Sequence, residues 1–339
     1  MRAMTPTSRT GAKGLVGRRL SARRVALRGR SYADIAFNRP VRPGRSVPIT
    51  TPDGTTLRAC VYGPDSADVI VFVHGWTCCV EYWNPQINAF AGDYRVVAYD
   101  QRGHGDSELG GRPLTTDLLA DDLRAVLDAV LRPGQRAVLV GHSMGGMTIQ
   151  AWAARYPDQV AERAAAVVLT NTAAGNLIAE TTLVPLLRLL PLPLRLLVGK
   201  LALSALLPFP PVAPMQWGLR RGVMTLAAVG DVADFAFAVV RACPPRVRGR
   251  FGALLAGLDV GQAAKRLTVP TTVIAGRFDN LTPVVHSERL VEMLTESGVL
   301  DRFTVLPTGH LGSVEAYPAF NAELSRVLES AYPAREATA

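Results

Sequence analysis

Short apolar runs and longer amphipathic segments take turns along much of this chain. Val69–His74 is an almost unbroken apolar run of buried-strand type, followed by a helix-compatible segment over Glu81–Phe90. The order repeats with a strand at Arg95–Asp100 and an amphipathic helix at Thr115–Leu131. It repeats again with a strand at Arg136–His142, a helix at Met144–Arg155 and a strand at Ala164–Asn171. Strands that read as continuous apolar runs are buried on both faces, and helices between them supply the cover. The pattern therefore predicts an α/β fold with a mostly parallel sheet and helices on both faces. Two further strand-like runs, near residues 46–50 and 55–62, flank Asp53-Gly54, a pair that favours a tight hairpin.

The alternation stops at about Thr172 and resumes only after Leu267. It returns as a strand at Thr271–Arg277, a helix at Val284–Leu294, a strand at Asp301–Leu306 and a closing helix at Val314–Ser330. Ordinary connections between a strand and a helix take about 2–6 residues. Residues 172–267, rich in Leu, Ala and Pro, are thus expected to be a helical unit inserted between two strands of one sheet. The resulting division is a basic arm at 1–45, a core at 46–171 and 268–332, the insertion at 172–267, and a tail at 333–339.

Composition narrows the possibilities. Apolar residues make up 48% and charged residues 19% of the 339, a globular balance that excludes a disordered chain. The formal charge of +9 is unevenly placed: residues 1–45 carry twelve Arg or Lys against Asp34 alone, leaving the remainder at −2. The arm is expected to be solvated and poorly ordered, without the continuous apolar run of a secretory signal. No nucleic-acid partner is expected. The longest stretch without charge, Leu201–Leu219, contains Pro208, Pro210, Pro211 and Pro214 and does not suit a spanning helix. Cys60, Cys78, Cys79 and Cys243 show no C-x-x-C spacing, so a reduced, cytoplasmic chain is expected.

The chemistry is concentrated at "VLVGHSMGGM", residues 138–147, which holds G-x-S-x-G. Its position between an apolar strand and a helix-compatible run suits a nucleophile on a sharp turn, with the Ser143 hydroxyl exposed at the carboxyl edge of the sheet. Gly141 and Gly145 leave room where that turn is tight. A serine hydroxyl needs a base. Of the five histidines, His142 adjoins Ser143 and points elsewhere at a sharp turn, while His74 and His104 read as turn residues and His286 sits in a helix without a motif. His310, in the loop after the final strand, is the best-placed base. The imidazole needs a carboxylate to hold its tautomer. Asp279, in the loop after Thr271–Arg277, is at the right edge, whereas Asp301 begins a strand and sits at the other end. The backbone amides of Met144 and of Trp76, the latter in "FVHGWTCCVEYW", are the expected oxyanion donors, with Gly75 allowing close approach.

Together "HGW", "DQRGHGDS" (Asp100–Ser107), "GHSMGG" and the acid and histidine loops stand in the order found in the α/β-hydrolase superfamily, which the chain resembles over about residues 46–332. The resemblance implies a sheet of about eight strands with a helical cap in the insertion, and makes "DQRGHGDS" a structural turn. The leading expectation is a serine esterase or lipase-like hydrolase, with Ser143, His310 and Asp279 as triad and no metal or organic cofactor. Its substrate would be a small-to-medium lipophilic ester. Peripheral membrane contact through the cap and the basic arm is a secondary expectation, and the oligomeric state is left open. A cofactor-free haloperoxidase or perhydrolase, an acyltransferase or a lactonase would use the same triad. A non-catalytic interaction protein that kept the fold is the alternative of another class.

Overall fold

β3 (Val69–Val73), β5 (Ala137–His142) and β6 (Ala164–Thr170) are buried along their whole length, as their unbroken apolar sequences require. They form the centre of an eight-stranded sheet in the order β1 (Arg45–Thr50), β2 (Thr56–Tyr62), β4 (Arg95–Tyr99), β3, β5, β6, β7 (Thr271–Gly276), β8 (Leu300–Leu306). In the computed structural model, residues 22–182, 189–205 and 213–333 are described. β1 (Arg45–Thr50) and β2 (Thr56–Tyr62) are the hairpin expected around Asp53-Gly54, with Gly54 at φ +78°. β2 pairs antiparallel with β4 (Arg95–Tyr99), and β4, β3, β5, β6, β7 (Thr271–Gly276) and β8 (Leu300–Leu306) are parallel. The loops after these parallel strands consequently leave one edge of the sheet together.

The two-residue period of the strands divides the core. Ile70, Phe72, Val138 and Val140 point to one face, Val69, Val71, Val73 and Leu139 to the other. A helix at residues 22–29 (α1) precedes the sheet. On the first face lie α2 (Asn84–Phe90) and the last helix, α13 (Tyr317–Ala331), which contribute Ile87, Phe320 and Leu324. α3 (Thr116–Val130), α4 (Met144–Arg155) and the later α11 (Val284–Glu296) supply Leu123, Trp152 and Leu290 to the second. A short α5 (Pro157–Arg163), not foreseen from the sequence, begins on Pro157, whose missing N–H costs nothing there.

Between β6 and β7 the described residues form α6 (Leu177–Glu180), α7 (Leu192–Leu203), α8 (Ala213–Val223), α9 (Asp231–Ala242) and α10 (Pro245–Ala256). Phe251, Val247 and Leu255 of α10 pack on Met144 and Met147 at the start of α4. Of the apolar stretch 183–215, residues 183–188 and 206–212 lie outside the described ones. After β7 come α11 (Val284–Glu296), α12 (Gly312–Glu315) and α13 (Tyr317–Ala331). The single closing helix expected at Val314–Ser330 is thus two: Pro318 would break a helix interior but fits the first turn of α13. Among the described residues no helix is long and apolar enough to cross a membrane.

The described part of the basic arm, from residue 22, differs from expectation. Residues 1–21 lie outside the described ones, as do 334–339 at the other end, but 22–44 fold onto the body. Phe37 is 1% exposed and packs against Phe235 of α9 and Tyr317 of α13. Arg28 pairs with Glu81 and Asp106, Arg24 with Asp106, and Arg30 with Asp234. These cations looked solvated in sequence because their acids lie far along the chain. Phe37 and Tyr32 supply the apolar anchor; exposed ion pairs alone stabilise by less than about 1 kcal/mol each.

Candidate active site

Ser143 joins β5 to α4 with φ 52° and ψ −120°, a conformation that a residue with a Cβ adopts only under constraint. Its neighbours supply that constraint. The Ser143 amide donates to the Thr170 carbonyl at 3.0 Å, and the Ser143 carbonyl accepts from Thr172 Oγ1 at 2.7 Å. A Cβ on Gly145 would stand 2.0 Å from the Val73 carbonyl oxygen, and one on Gly141 would stand 2.7 Å from Gly146. The glycines are required by this approach of α4 to β3 and β5.

The Ser143 hydroxyl lies 2.9 Å from His310 Nε2, and His310 Nδ1 lies 2.8 Å from Asp279 Oδ2. All three side chains are buried. An ionised Asp279 only accepts, so Nδ1 carries the proton and Nε2 presents its lone pair to the serine. Asp279 is itself held: Oδ1 accepts the amides of Leu281 and Thr282 at 2.8 and 2.9 Å. Oδ2 also accepts Thr282 Oγ1 at 2.8 Å and Asn171 Nδ2 at 3.0 Å. Burial alone would push this carboxyl up, but His310 and the donors outweigh it and hold it below its ordinary range.

The remaining histidines have structural partners. His142 Nε2 lies 2.9 Å from the His310 carbonyl, to which it donates, and its ring stacks on Tyr82. Burial first and His310 second lower it to about 3, so it stays neutral. His74 Nε2 accepts the Gln101 amide, and His104 Nε2 accepts the Thr77 amide. These bonds make "DQRGHGDS" a turn locked to the loop after β3. His286 sits 3.5 Å from Glu180, and Asp301 bonds Arg326 and Thr272 near the amino end of β8.

Gly75 lies against Ser143: a Cβ there would come within 2.7 Å of His142 Nδ1 and 3.0 Å of Ser143 Cβ. Among the described residues, no acceptor is bonded to the backbone amides of Trp76 or Met144. Ser143 opens into a cavity of about 100 Å³ with an almost wholly apolar lining that includes Trp76, Met147, Leu177, Ile178, Leu203 and Leu255. The insertion therefore forms most of its wall. Sequence reasoning missed Asn171 and Thr282, which hold Asp279. Asn171, at φ 47° on the carboxyl end of β6, carried at most the signal of a polar residue closing an apolar strand.

A sheet of this order, with a strained serine at its carboxyl edge, defines a class of protein. The chain belongs to the α/β-hydrolase fold family, whose sequence model matches residues 68–317, and it is a hydrolase of that fold. It is 28% identical to 3-oxoadipate enol-lactonase 2 of Acinetobacter baylyi over 82% of this chain and 95% of that one. It is 39% identical to a bifunctional esterase/perhydrolase of Acinetobacter calcoaceticus, over 34% of this chain and only 42% of the relative. Among solved structures, a thermophilic esterase from Thermogutta terrifontis superposes with TM-score 0.67 at 21% identity, covering 85% of this chain and 99% of that one.

Proposed function

We propose that this protein hydrolyses carboxylic esters of small-to-medium lipophilic substrates through an acyl-enzyme. The observation that carries the reading is the Ser143–His310–Asp279 relay opening into an apolar cavity. Ser143 Oγ attacks the ester carbonyl while His310 Nε2 takes its proton. The tetrahedral oxyanion is received by the amides of Trp76 and Met144, each worth on the order of 3 kcal/mol of barrier. His310 then returns the proton to the leaving alcohol, leaving the acyl group on Ser143. A water activated by the same imidazole releases the acid. Asp279 keeps Nδ1 protonated and stabilises the imidazolium. Helices α6–α10 act as the cap whose apolar wall receives the acyl chain.

A cyclic ester fits the same chemistry, and the enol-lactonase relative, aligned over most of both chains, favours including lactones. A panel of p-nitrophenyl esters with acyl chains graded from two to sixteen carbons, run beside aliphatic lactones, tests this function. Turnover of at least one class with a preference for short or medium chains is expected. Absence of turnover on the whole panel contradicts it.

A further inference from the structure

Three consecutive amides around His310 are held from outside the triad. The Gly309 and Leu311 amides both donate to Glu315 Oε1, at 3.0 and 3.3 Å. Between them the His310 amide donates to the Val223 carbonyl at 2.8 Å. The other Glu315 oxygen, Oε2, accepts the Thr225 amide at 2.8 Å. Val223 and Thr225 belong to the end of α8 and the residues just after it, in the insertion, whereas Glu315 ends α12 in the core. The backbones touch: a Cβ on Gly309 would stand 2.7 Å from Met224 Cα.

The backbone groups facing Glu315 are all donors, on both of its oxygens, and the Thr225 hydroxyl lies beside them, so the amides need an acceptor on both sides. A carboxylate meets this; a carboxamide, with one oxygen and one NH2, does not. Burial pushes the Glu315 carboxyl up, and these amides together with the Thr225 hydroxyl offset the cost. An apolar side chain would fill the same half-buried position without that cost. The charge is therefore explained by what it joins.

We propose that Glu315 is a positioning residue: it clamps the His310 loop to the end of α8, so that the insertion sets the place of the base relative to Ser143. The proposal rests on Ser143, His310 and Asp279 acting as the triad. The imidazole has little freedom to compensate, since Nε2 lies 2.9 Å from Ser143 Oγ while Nδ1 lies 2.8 Å from Asp279 Oδ2 and 3.2 Å from Thr282 Oγ1. A displacement of about 1 Å in such a relay costs about 100-fold in rate.

Glu315→Gln tests the clamp. On one side or the other its NH2 meets an amide donor, and that arm opens. The turnover number on p-nitrophenyl butyrate and the rate of labelling by a fluorophosphonate are expected to fall together, by about tenfold or more. KM should stay within about twofold and the circular dichroism spectrum should be unchanged. A merely structural role would lower the melting temperature and leave the labelling rate per folded molecule as in the wild type, which overturns the proposal. If Glu315→Gln is insoluble, Glu315→Asp, which keeps the charge and withdraws it by one methylene, is read by the same two rates. Wild-type protein that resists labelling refutes the triad itself; labelled wild type with an unaffected variant refutes only the clamp.

Discussion

Replacing Asp279 by asparagine changes one atom and, on the geometry here, reverses a proton. Asp279 offers two oxygens to five donors: the Leu281 and Thr282 amides on Oδ1, and Thr282 Oγ1, Asn171 Nδ2 and His310 Nδ1 on Oδ2. Backbone amides cannot reverse their polarity, so the asparagine oxygen must stay on their side. Its NH2 then faces His310 Nδ1. The imidazole keeps that contact only by accepting at Nδ1, which moves its proton to Nε2, 2.9 Å from Ser143 Oγ. A protonated Nε2 has no lone pair with which to take the serine proton. The expected loss is about 10⁴-fold in turnover, or about 5 kcal/mol of barrier, as for the wrong tautomer in other triads. KM should change little, because Asp279 does not line the cavity. Initial rates on p-nitrophenyl butyrate, with circular dichroism to verify folding, read the effect. A loss smaller than about tenfold in folded protein would refute the claim that Asp279 sets the tautomer.

Two other substitutions follow from the packing. Gly145→Ala places a Cβ 2.0 Å from the Val73 carbonyl oxygen, so α4 must move away from β3; a melting scan should show about 1–3 kcal/mol of destabilisation, with about 100-fold lower kcat/KM. Phe37→Ala empties the contact among Phe37, Phe235 and Tyr317; denaturant unfolding should register a loss of about 3–5 kcal/mol, whereas a solvated arm would give almost none.

What was legible in the sequence was what local order determines. The run ending at His142 and the helix from Met144 to Arg155 are set by apolar periodicity and glycine placement, and both appear with nearly the expected bounds. His310 and Asp279 could be reached because few histidines compete and because each follows a strand, so topology carries both to one edge. Asn171 was not reachable in this way. It holds Asp279 across 108 residues, and its polar side chain looks like any other at the end of a strand. Glu315 was hidden for the same reason, since the Thr225 amide it accepts lies 90 residues away. The docking of residues 22–44 was not legible because twelve cations dominate the composition of the arm, while the aromatic pair Tyr32 and Phe37 in that part is small in number. Charge patterns report solvation only where the opposite charge is also near in sequence.

The central claim is that Ser143 is the nucleophile. Peptide mapping by mass spectrometry after fluorophosphonate treatment tests it most directly. One adduct on the peptide carrying Ser143 is predicted, absent in Ser143→Ala and strongly reduced in His310→Ala, with esterase activity lost in step. An adduct elsewhere, or an active enzyme with Ser143 unmodified, would contradict it.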